Sequence, residues 1–440
     1  MTTRTRQLGL FEQNGIGFEE AYNIALESFR SQVVGRGYKS MSVGFSGGKD
    51  STTVVTLLAH FIKSGQLDLN PRNIWILYGD TGRELPPLHD NALALLRELG
   101  REGFNTKVVQ PSLDKTFWVA MLGRGLPLPH NFSRWCVSHL KTDQMENVVR
   151  SLFYRQNQVA LEAELKKPEV KAKFSTYTKK GRDAAITKFF NQHGKKLLMI
   201  TGMRLGESLT RDQKIEHICT RNGECGTGMW QPKAPEYDRL APLVRWRTCH
   251  IFDWLAGWAG FVEGPHGYET YTRQVARIYG DMDVRTGCAS CSVAHKDTAL
   301  ENIVQNQKMP EYSYLKPLLK LRLLWEILMT RRNLRLWHDG TAKSQTKDLG
   351  PLTFEARRFA YVFVMKLQLE MNQLFYAMPK ELQLKAGNSP YQIISLEERQ
   401  RIFWHWANKT WPQGWDGSQP VGNQSQLTPT GQTEINWFGE

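Results

Sequence analysis

Met41-Ser42-Val43-Gly44-Phe45, then Ser46-Gly47-Gly48-Lys49-Asp50-Ser51, then Thr52 to Phe61: an apolar run, a glycine-rich turn and a longer apolar segment stand in direct succession. The first run has the length of a buried strand, and the last has the pattern and length of a buried helix. Two glycines permit backbone conformations closed to other residues, so successive N–H groups can converge on an anion. The start of the helix adds unpaired donors and a favourable dipole. A pyrophosphate fits such a turn, with Lys49 as a point charge and Ser46 and Ser51 as hydroxyl donors. The spacing is not that of a Walker A loop, which places four residues between its first glycine and Gly-Lys, so a kinase or ordinary ATPase is disfavoured. The bland alternative is a plain strand-to-helix turn.

Working outward, a second strand at Ile74 to Tyr78 ends at Gly79-Asp80-Thr81-Gly82. A helix from about Pro86 to Gly100 and a third strand at Thr106 to Val109 follow, and a helix over Phe18 to Val34 precedes the first strand. Strands alternating with helices at this spacing predict an α/β fold with a parallel sheet and crossover helices. The pattern resumes at Leu197 to Thr201, just before Gly202-Met203-Arg204-Leu205-Gly206-Glu207-Ser208. Between them, residues 150–196 carry 12 Lys or Arg against four acidic residues, which reads as a solvent-facing basic helical insertion. From about 300 the strands stop and helical patterns take over, at Tyr314 to Trp337 and Phe354 to Phe375. The expected organisation is an N-terminal helical segment (1–34), an α/β domain (35–300) with its insertion (150–196) and a cysteine region (219–291), a helical C-terminal domain (301–415) and a polar tail (416–440) that orders only by docking.

A length of 440 residues allows two or three domains. Lys plus Arg outnumber Asp plus Glu by 57 to 43, a formal charge of +14, which favours an anionic partner such as nucleic acid. The longest apolar stretches fall far short of the roughly 20 residues that a bilayer span needs. Met1 to Gln7 is polar and does not open a secretory signal. No membrane partner and a cytoplasmic location are therefore expected.

Six cysteines are too few for a disulfide scaffold, but four form two close pairs, Cys219 with Cys225 and Cys288 with Cys291. Four thiolates from two such segments suit an iron–sulfur cluster, such as 4Fe-4S, or a structural zinc, and spacing does not choose between them. Cys249 sits in an apolar helical setting and reads as packing, with a ligand role as the alternative. Cys136 stands beside Arg134, and a cationic neighbour favours the thiolate that attacks sulfur or carries a persulfide; a structural thiol is the equal alternative. Arg204, Arg134 and Arg211, with Lys141 behind them, are candidates to clamp phosphate oxygens at the carboxyl edge of the sheet. Asp80 reads either as a turn or cap residue or as a contact to ATP or magnesium, and Glu207 either as a partner of Arg211 or as catalytic.

The Ser46–Ser51 stretch resembles the signature of the PP-loop ATP pyrophosphatases, of the adenine nucleotide alpha hydrolase-like fold. Further segments resemble the phosphoadenylyl-sulfate (PAPS) reductase-like group. These are Leu77 to Gly82, Arg134-Trp135-Cys136 with Leu140-Lys141, Gly202 to Ser208 with Arg211, and Ala241-Pro242-Leu243 with Trp246 and Phe252 to Leu255. Val137 stands where that group usually has threonine. The likeness spans roughly residues 35–300. It implies ATP contacts from Ser46, Gly47, Gly48, Lys49, Asp50, Ser51, Asp80, Thr81, Arg134, Arg204 and Arg211, and catalytic roles for Lys49, Asp50, Arg204 and Cys136, with magnesium as cofactor.

No cysteine follows Cys291 and no adjacent Cys-Cys pair occurs, which disfavours plain sulfonucleotide reduction. Gly287-Cys288-x-x-Cys291-Ser292-Val293 with Lys296-Asp297 is similar to the DNA phosphorothioation branch, of DndC and SspD type. That branch's usual upstream Cys-Gly is absent from Tyr279 to Thr286, and Cys219 and Cys225 are its expected substitutes. The implied reaction adenylates a DNA phosphate oxygen and replaces it with sulfur. A cysteine desulfurase would be the sulfur donor and other phosphorothioation proteins the partners. The basic insertion and a basic helix holding Arg331, Arg332 and Arg335 would contact DNA phosphates, against the alternative of a merely solvated face. The rival readings are a tRNA thiolase, a sulfonucleotide reductase and a non-catalytic nucleotide sensor.

Overall fold

A computed structural model of the chain describes residues 16–35, 38, 40–131, 133–174, 178–193, 197–206, 229–230, 237–257, 267–280, 282, 284, 286–294, 296–306, 309–337 and 349–422. Two compact units interleave along the sequence. The first comprises Met1–Gly79, Leu88–Val109 and Met145–Asp283; the second comprises Asp80–Pro87, Gln110–Gln144 and Val284–Glu440.

The first unit is an α/β fold. Its strands are β1 (Met41–Phe45), β2 (Ile74–Gly79), β3 (Asn105–Val109), β4 (Leu197–Ile200), β5 (Met229–Trp230) and β6 (Tyr237–Leu240), in the spatial order β3-β2-β1-β4-β6-β5. Pairing is parallel except at the edge, where the two-residue β5 runs antiparallel to β6. β1 is central, with Met41 opposite both Ile74 and Leu198. That position explains its apolar composition, since a central parallel strand is covered on both faces. From β1 the chain builds outward through β2 and β3 and then returns to β1's other side with β4. The order of the sheet therefore reverses between β1 and β4, and at such a point the carboxyl ends of the strands open a crevice.

Helix α1 (Phe18–Phe29) and helix α2 (Lys49–Lys63) pack together with the helix Thr248–Ala256 through aromatic rings that also satisfy their polar atoms. Trp246 Nε1 donates to the Ala21 carbonyl (2.9 Å) and Trp254 Nε1 to Thr56 Oγ1 (2.9 Å), while the Tyr22 hydroxyl pairs with His60 Nε2 (3.0 Å). The basic 150–196 region is helical, at Asp143–Lys166, Pro168–Phe174 and Lys179–His193. It is not simply solvent-facing, however. Val149, Leu152, Phe153, Leu161 and Phe189 form one buried cluster with Leu77, Val109, Leu197 and Tyr237 of the sheet. Arg150, Arg155, Lys166, Lys167, Lys173, Lys180, Arg182 and Lys188 are exposed.

The second unit is mainly helical, with a 3-10 stretch at Pro310–Lys320 and helices Leu321–Thr330, Phe354–Ala377 and Leu396–Ala407. Two corrections apply here. Strands do not stop at 300: β7 (Arg335–Trp337) pairs antiparallel with β8 (Leu349–Leu352). The expected basic helix also does not exist. Arg331 follows the end of the helix, Arg332 lies in a 3-10 turn, and Arg335 opens β7 with its Nε donating to the Gly350 carbonyl. Burial pulls the Arg335 guanidinium down to about 10, which leaves it charged at neutral pH. Val421 bridges to Leu336 and Gly422 N–H donates to the Arg335 carbonyl, so the chain is docked at least to residue 422. The rest of the expected tail lies outside the described residues. Among the described residues, no helix is long and apolar enough to cross a membrane.

Candidate anion site and thiol site

The turn after β1 is shaped by contacts that only glycine tolerates. Gly47 has φ +73°, and a Cβ there would meet the Ala92 Cβ at 3.0 Å and the Leu88 carbonyl oxygen at 3.3 Å. Ser51 Oγ accepts from the Ser46 N–H (3.1 Å), donates to the Gly48 carbonyl (3.1 Å) and lies 3.0 Å from Ser46 Oγ, so the two serines close the turn on themselves. Helix α2 begins at Lys49 with Gly48 as an extended N-cap lacking any side-chain acceptor.

Across the β1/β4 crevice, Arg204 arrives from the segment after β4. Its Nε donates to Asp50 Oδ1 at 2.6 Å, while Lys49 Nζ lies 3.7 Å from Asp50 Oδ2. Lys49 and Arg204 are buried. Gly202 makes the approach possible, since a Cβ on it would lie 2.9 Å from the carbonyl carbon and oxygen of Asp50. Two desolvated cations against one carboxylate, at a helix N-terminus, leave an excess of positive potential suited to an anion. Tyr279 is the participant that sequence reasoning missed. Its hydroxyl accepts the Lys49 N–H (3.1 Å), and Lys49 Nζ sits 4.8 Å from its ring centroid. Nothing local in the sequence signals this, because the helix Glu269–Tyr279 lies more than two hundred residues away along the chain.

Asp80 and Thr81 belong to the second unit and build a turn. Asp80 Oδ1 accepts from the Gly82 N–H and Oδ2 from Gln110 Nε2, both at 2.8 Å. Thr81 gives its N–H (3.0 Å) and its hydroxyl (2.7 Å) to the Glu84 carboxylate. Of the two sequence readings of Asp80, the turn role is the one visible in these bonds. Burial raises the Glu84 carboxyl above its ordinary range despite the nearby Lys141 and the Thr81 hydroxyl. Arg134 is exposed and donates to Asn131 Oδ1 (2.9 Å). Arg211, Glu207, Ser208, Cys219 and Cys225 lie outside the described residues.

Cys136, Cys288 and Cys291 are reduced thiols of the second unit and influence one another electrostatically. The expectation that a cationic neighbour makes Cys136 a thiolate is reversed. Burial, then the charges of Cys288 and Cys291, push its thiol up to about 11, and the opposing pull of Lys141 is weaker. Burial likewise raises Cys288, against Lys141 and Arg83. Burial alone would lower the Lys141 ammonium, yet Cys288, Glu84, Cys136 and Cys291 together hold it above its usual range. Cys249 is also corrected. It is exposed, because the inward positions of its helix are taken by His250, Ile251, Trp254 and Leu255.

Because a thiol reacts through its thiolate, Cys136 should alkylate at pH 8 about 100-fold more slowly than an unperturbed cysteine, and faster as pH rises toward 11. Peptide mass spectrometry after timed iodoacetamide treatment measures this. A Cys136 rate matching that of the exposed Cys249 would refute it.

Among the described residues, no group of three or more His, Cys, Asp or Glu converges as a metal site. Cys288 and Cys291 offer thiol donors suited to a cluster or zinc, and the other two members of the expected four-cysteine set, Cys219 and Cys225, lie outside the described residues. No protein-family model matches this chain, and no curated protein does.

Proposed function

We propose that this chain is a PP-loop ATP pyrophosphatase that adenylates a backbone phosphate oxygen of DNA for replacement by sulfur. The observation that carries this reading is the Lys49–Asp50–Arg204 network at the start of α2, in the crevice where the sheet order reverses. Buried cations held in advance stabilise charge that develops on a departing group far better than mobile ones in water. The triphosphate of ATP lies along the Ser46–Ser51 turn. A non-bridging oxygen of the DNA phosphate attacks the α-phosphorus, and the bond to pyrophosphate breaks. Lys49 and the N-terminus of α2 take up the charge on the leaving group. Arg204 is oriented by Asp50 and binds phosphate oxygens. The outer sulfur of a persulfide charged by a cysteine desulfurase then forms the P–S bond as the bond to AMP breaks, and a second thiol attacks the inner sulfur of the persulfide, forming a disulfide and freeing the phosphorothioate.

Magnesium, held with the nucleotide, would add charge neutralisation. A cluster or zinc on Cys288 and Cys291, with Cys219 and Cys225 as the expected remaining donors, would be the sulfur-side cofactor. The exposed basic side chains of the 150–196 helices, from Arg150 to Lys188, supply sequence-blind contacts to the DNA backbone. Selection among DNA sequences falls to partner proteins of a phosphorothioation system, in the cytoplasm.

The test is purified protein with ATP, magnesium, a desulfurase with cysteine, and either duplex DNA or tRNA. Pyrophosphate release together with an oxygen-to-sulfur mass shift in DNA digests is expected. The same shift in tRNA alone would replace the DNA reading with a thiolase. Absence of pyrophosphate with either substrate would leave the enzymatic reading without support.

A further inference from the structure

The Lys49 ammonium meets two groups of opposite kind. One is the Asp50 carboxylate, 3.7 Å from Nζ, and the other is the Tyr279 ring, whose centroid lies 4.8 Å from the same atom. The Tyr279 hydroxyl also accepts the Lys49 N–H at 3.1 Å, so one side chain engages both the backbone and the ammonium of the first residue of α2. Lys49 is 7% exposed and Tyr279 2%, which leaves water little access to either contact.

The ring is delivered on a fixed support. The helix Glu269–Tyr279 buries Thr272, Val275, Ile278 and Tyr279, which recur at three and four residues and share one face. Its start is tied by the Tyr268 hydroxyl, which donates to the Glu102 carboxylate, and by Asn91 Nδ2, which donates to the Tyr271 carbonyl (3.1 Å). Gly280, with φ +69°, ends the helix directly after Tyr279. Phe252 stands nearly at right angles to the Tyr279 ring, with 6.3 Å between centroids. All of these residues belong to the first unit.

A lysine ammonium is a compact, strongly hydrated charge on a flexible stem. Holding it dry and in one place beforehand removes the reorganisation that a mobile cation would undergo as a leaving group gains charge. An aromatic face can do this because its quadrupole attracts the cation, most strongly where water is excluded, and leaves the unit charge intact. A second carboxylate in its place would cancel the charge that an anion requires.

We propose that Tyr279 is a positioning residue for Lys49, its ring holding the ammonium in place for the pyrophosphate that leaves ATP. The inference rests on the ATP reading above and adds to it a residue that acts through Lys49. The hydroxyl has the lesser part, as an acceptor at the start of α2, where Gly48 offers no side-chain cap.

The experiment measures single-turnover pyrophosphate release from ATP with magnesium and duplex DNA, and affinity for α,β-methylene-ATP by calorimetry, on the full chain. Tyr279→Phe keeps the ring. Tyr279→Leu and Tyr279→Met fill the space without a π face, and urea unfolding identifies the variants that keep the wild-type fold. The aliphatic variants should release pyrophosphate about tenfold more slowly yet bind analogue within about twofold of wild type, while Tyr279→Phe keeps at least about a third of the wild-type rate. In a Lys49→Ala background, Tyr279→Leu should change the residual rate by less than about twofold, because the ring then has no ammonium to hold. Folded aliphatic variants at the wild-type rate, or Tyr279→Phe as slow as they are, overturn the proposal. So does an undiminished loss in the Lys49→Ala background, the mark of a purely structural role. Each of these leaves the ATP reading intact. Wild type that releases no pyrophosphate removes that reading, and the proposal with it.

Discussion

Lys49→Ala should lower pyrophosphate release from ATP by about 10²–10³-fold, the usual cost of removing one preorganised donor from a site where charge develops. Lys49 is buried at the first position of α2, with its ammonium 3.7 Å from Asp50 and over the Tyr279 ring. Alanine is the best helix former, so α2 itself should persist. Arg204 keeps its 2.6 Å bond to Asp50, which holds the remaining cation in place. On the proposed mechanism the loss falls on turnover more than on ATP affinity, because the charge that Lys49 meets is largest as pyrophosphate departs. Single-turnover release assays beside equilibrium binding separate the two. Turnover within twofold of wild type would show that the turn does not serve a leaving diphosphate.

Gly202→Ala is expected to act through a backbone collision instead of a lost charge. The added methyl would lie 2.9 Å from the Asp50 carbonyl group and 3.0 Å from the Ser51 nitrogen. Those atoms belong to the first turn of α2 and cannot swing aside as a side chain would. The chain after β4 must therefore back away, drawing Arg204 off Asp50. Overpacking of this kind typically costs about 1–3 kcal/mol. Urea unfolding should report that loss, and nucleotide binding should weaken by about tenfold or more. Wild-type stability and affinity in this variant would mean that the close approach of the two segments is not required.

Much of the first unit was legible because its determinants are local. An apolar run ending in Ser46-Gly47-Gly48-Lys49 marks a strand, a turn and a helix start within a dozen residues, and β2, α3 (Pro86–Arg101) and β3 follow to within a residue or so at most ends. Elsewhere local pattern misled. Arg335–Trp337 continues a helical pattern on paper, yet pairs with Leu349–Leu352, a partner that periodicity cannot reveal. The 150–196 region announced its charge, while its few apolar residues, Leu152, Phe153, Leu161 and Phe189, were enough to bind it to the sheet. Cys136 looked activated because Arg134 is its neighbour in sequence, but its electrostatic surroundings are burial and two other thiols.

By itself, the sequence determined the alternation of strands and helices, the glycine turn and the identity of its lysine, since each depends on the conformational range and polarity of a few adjacent residues. Tertiary structure alone decided that Arg204 meets Asp50, that Tyr279 meets Lys49, and that Arg83 holds the cysteine turn. Those contacts join positions far apart along the chain. Their energies depend on burial and on distances that exist only after the sheet and helices have packed.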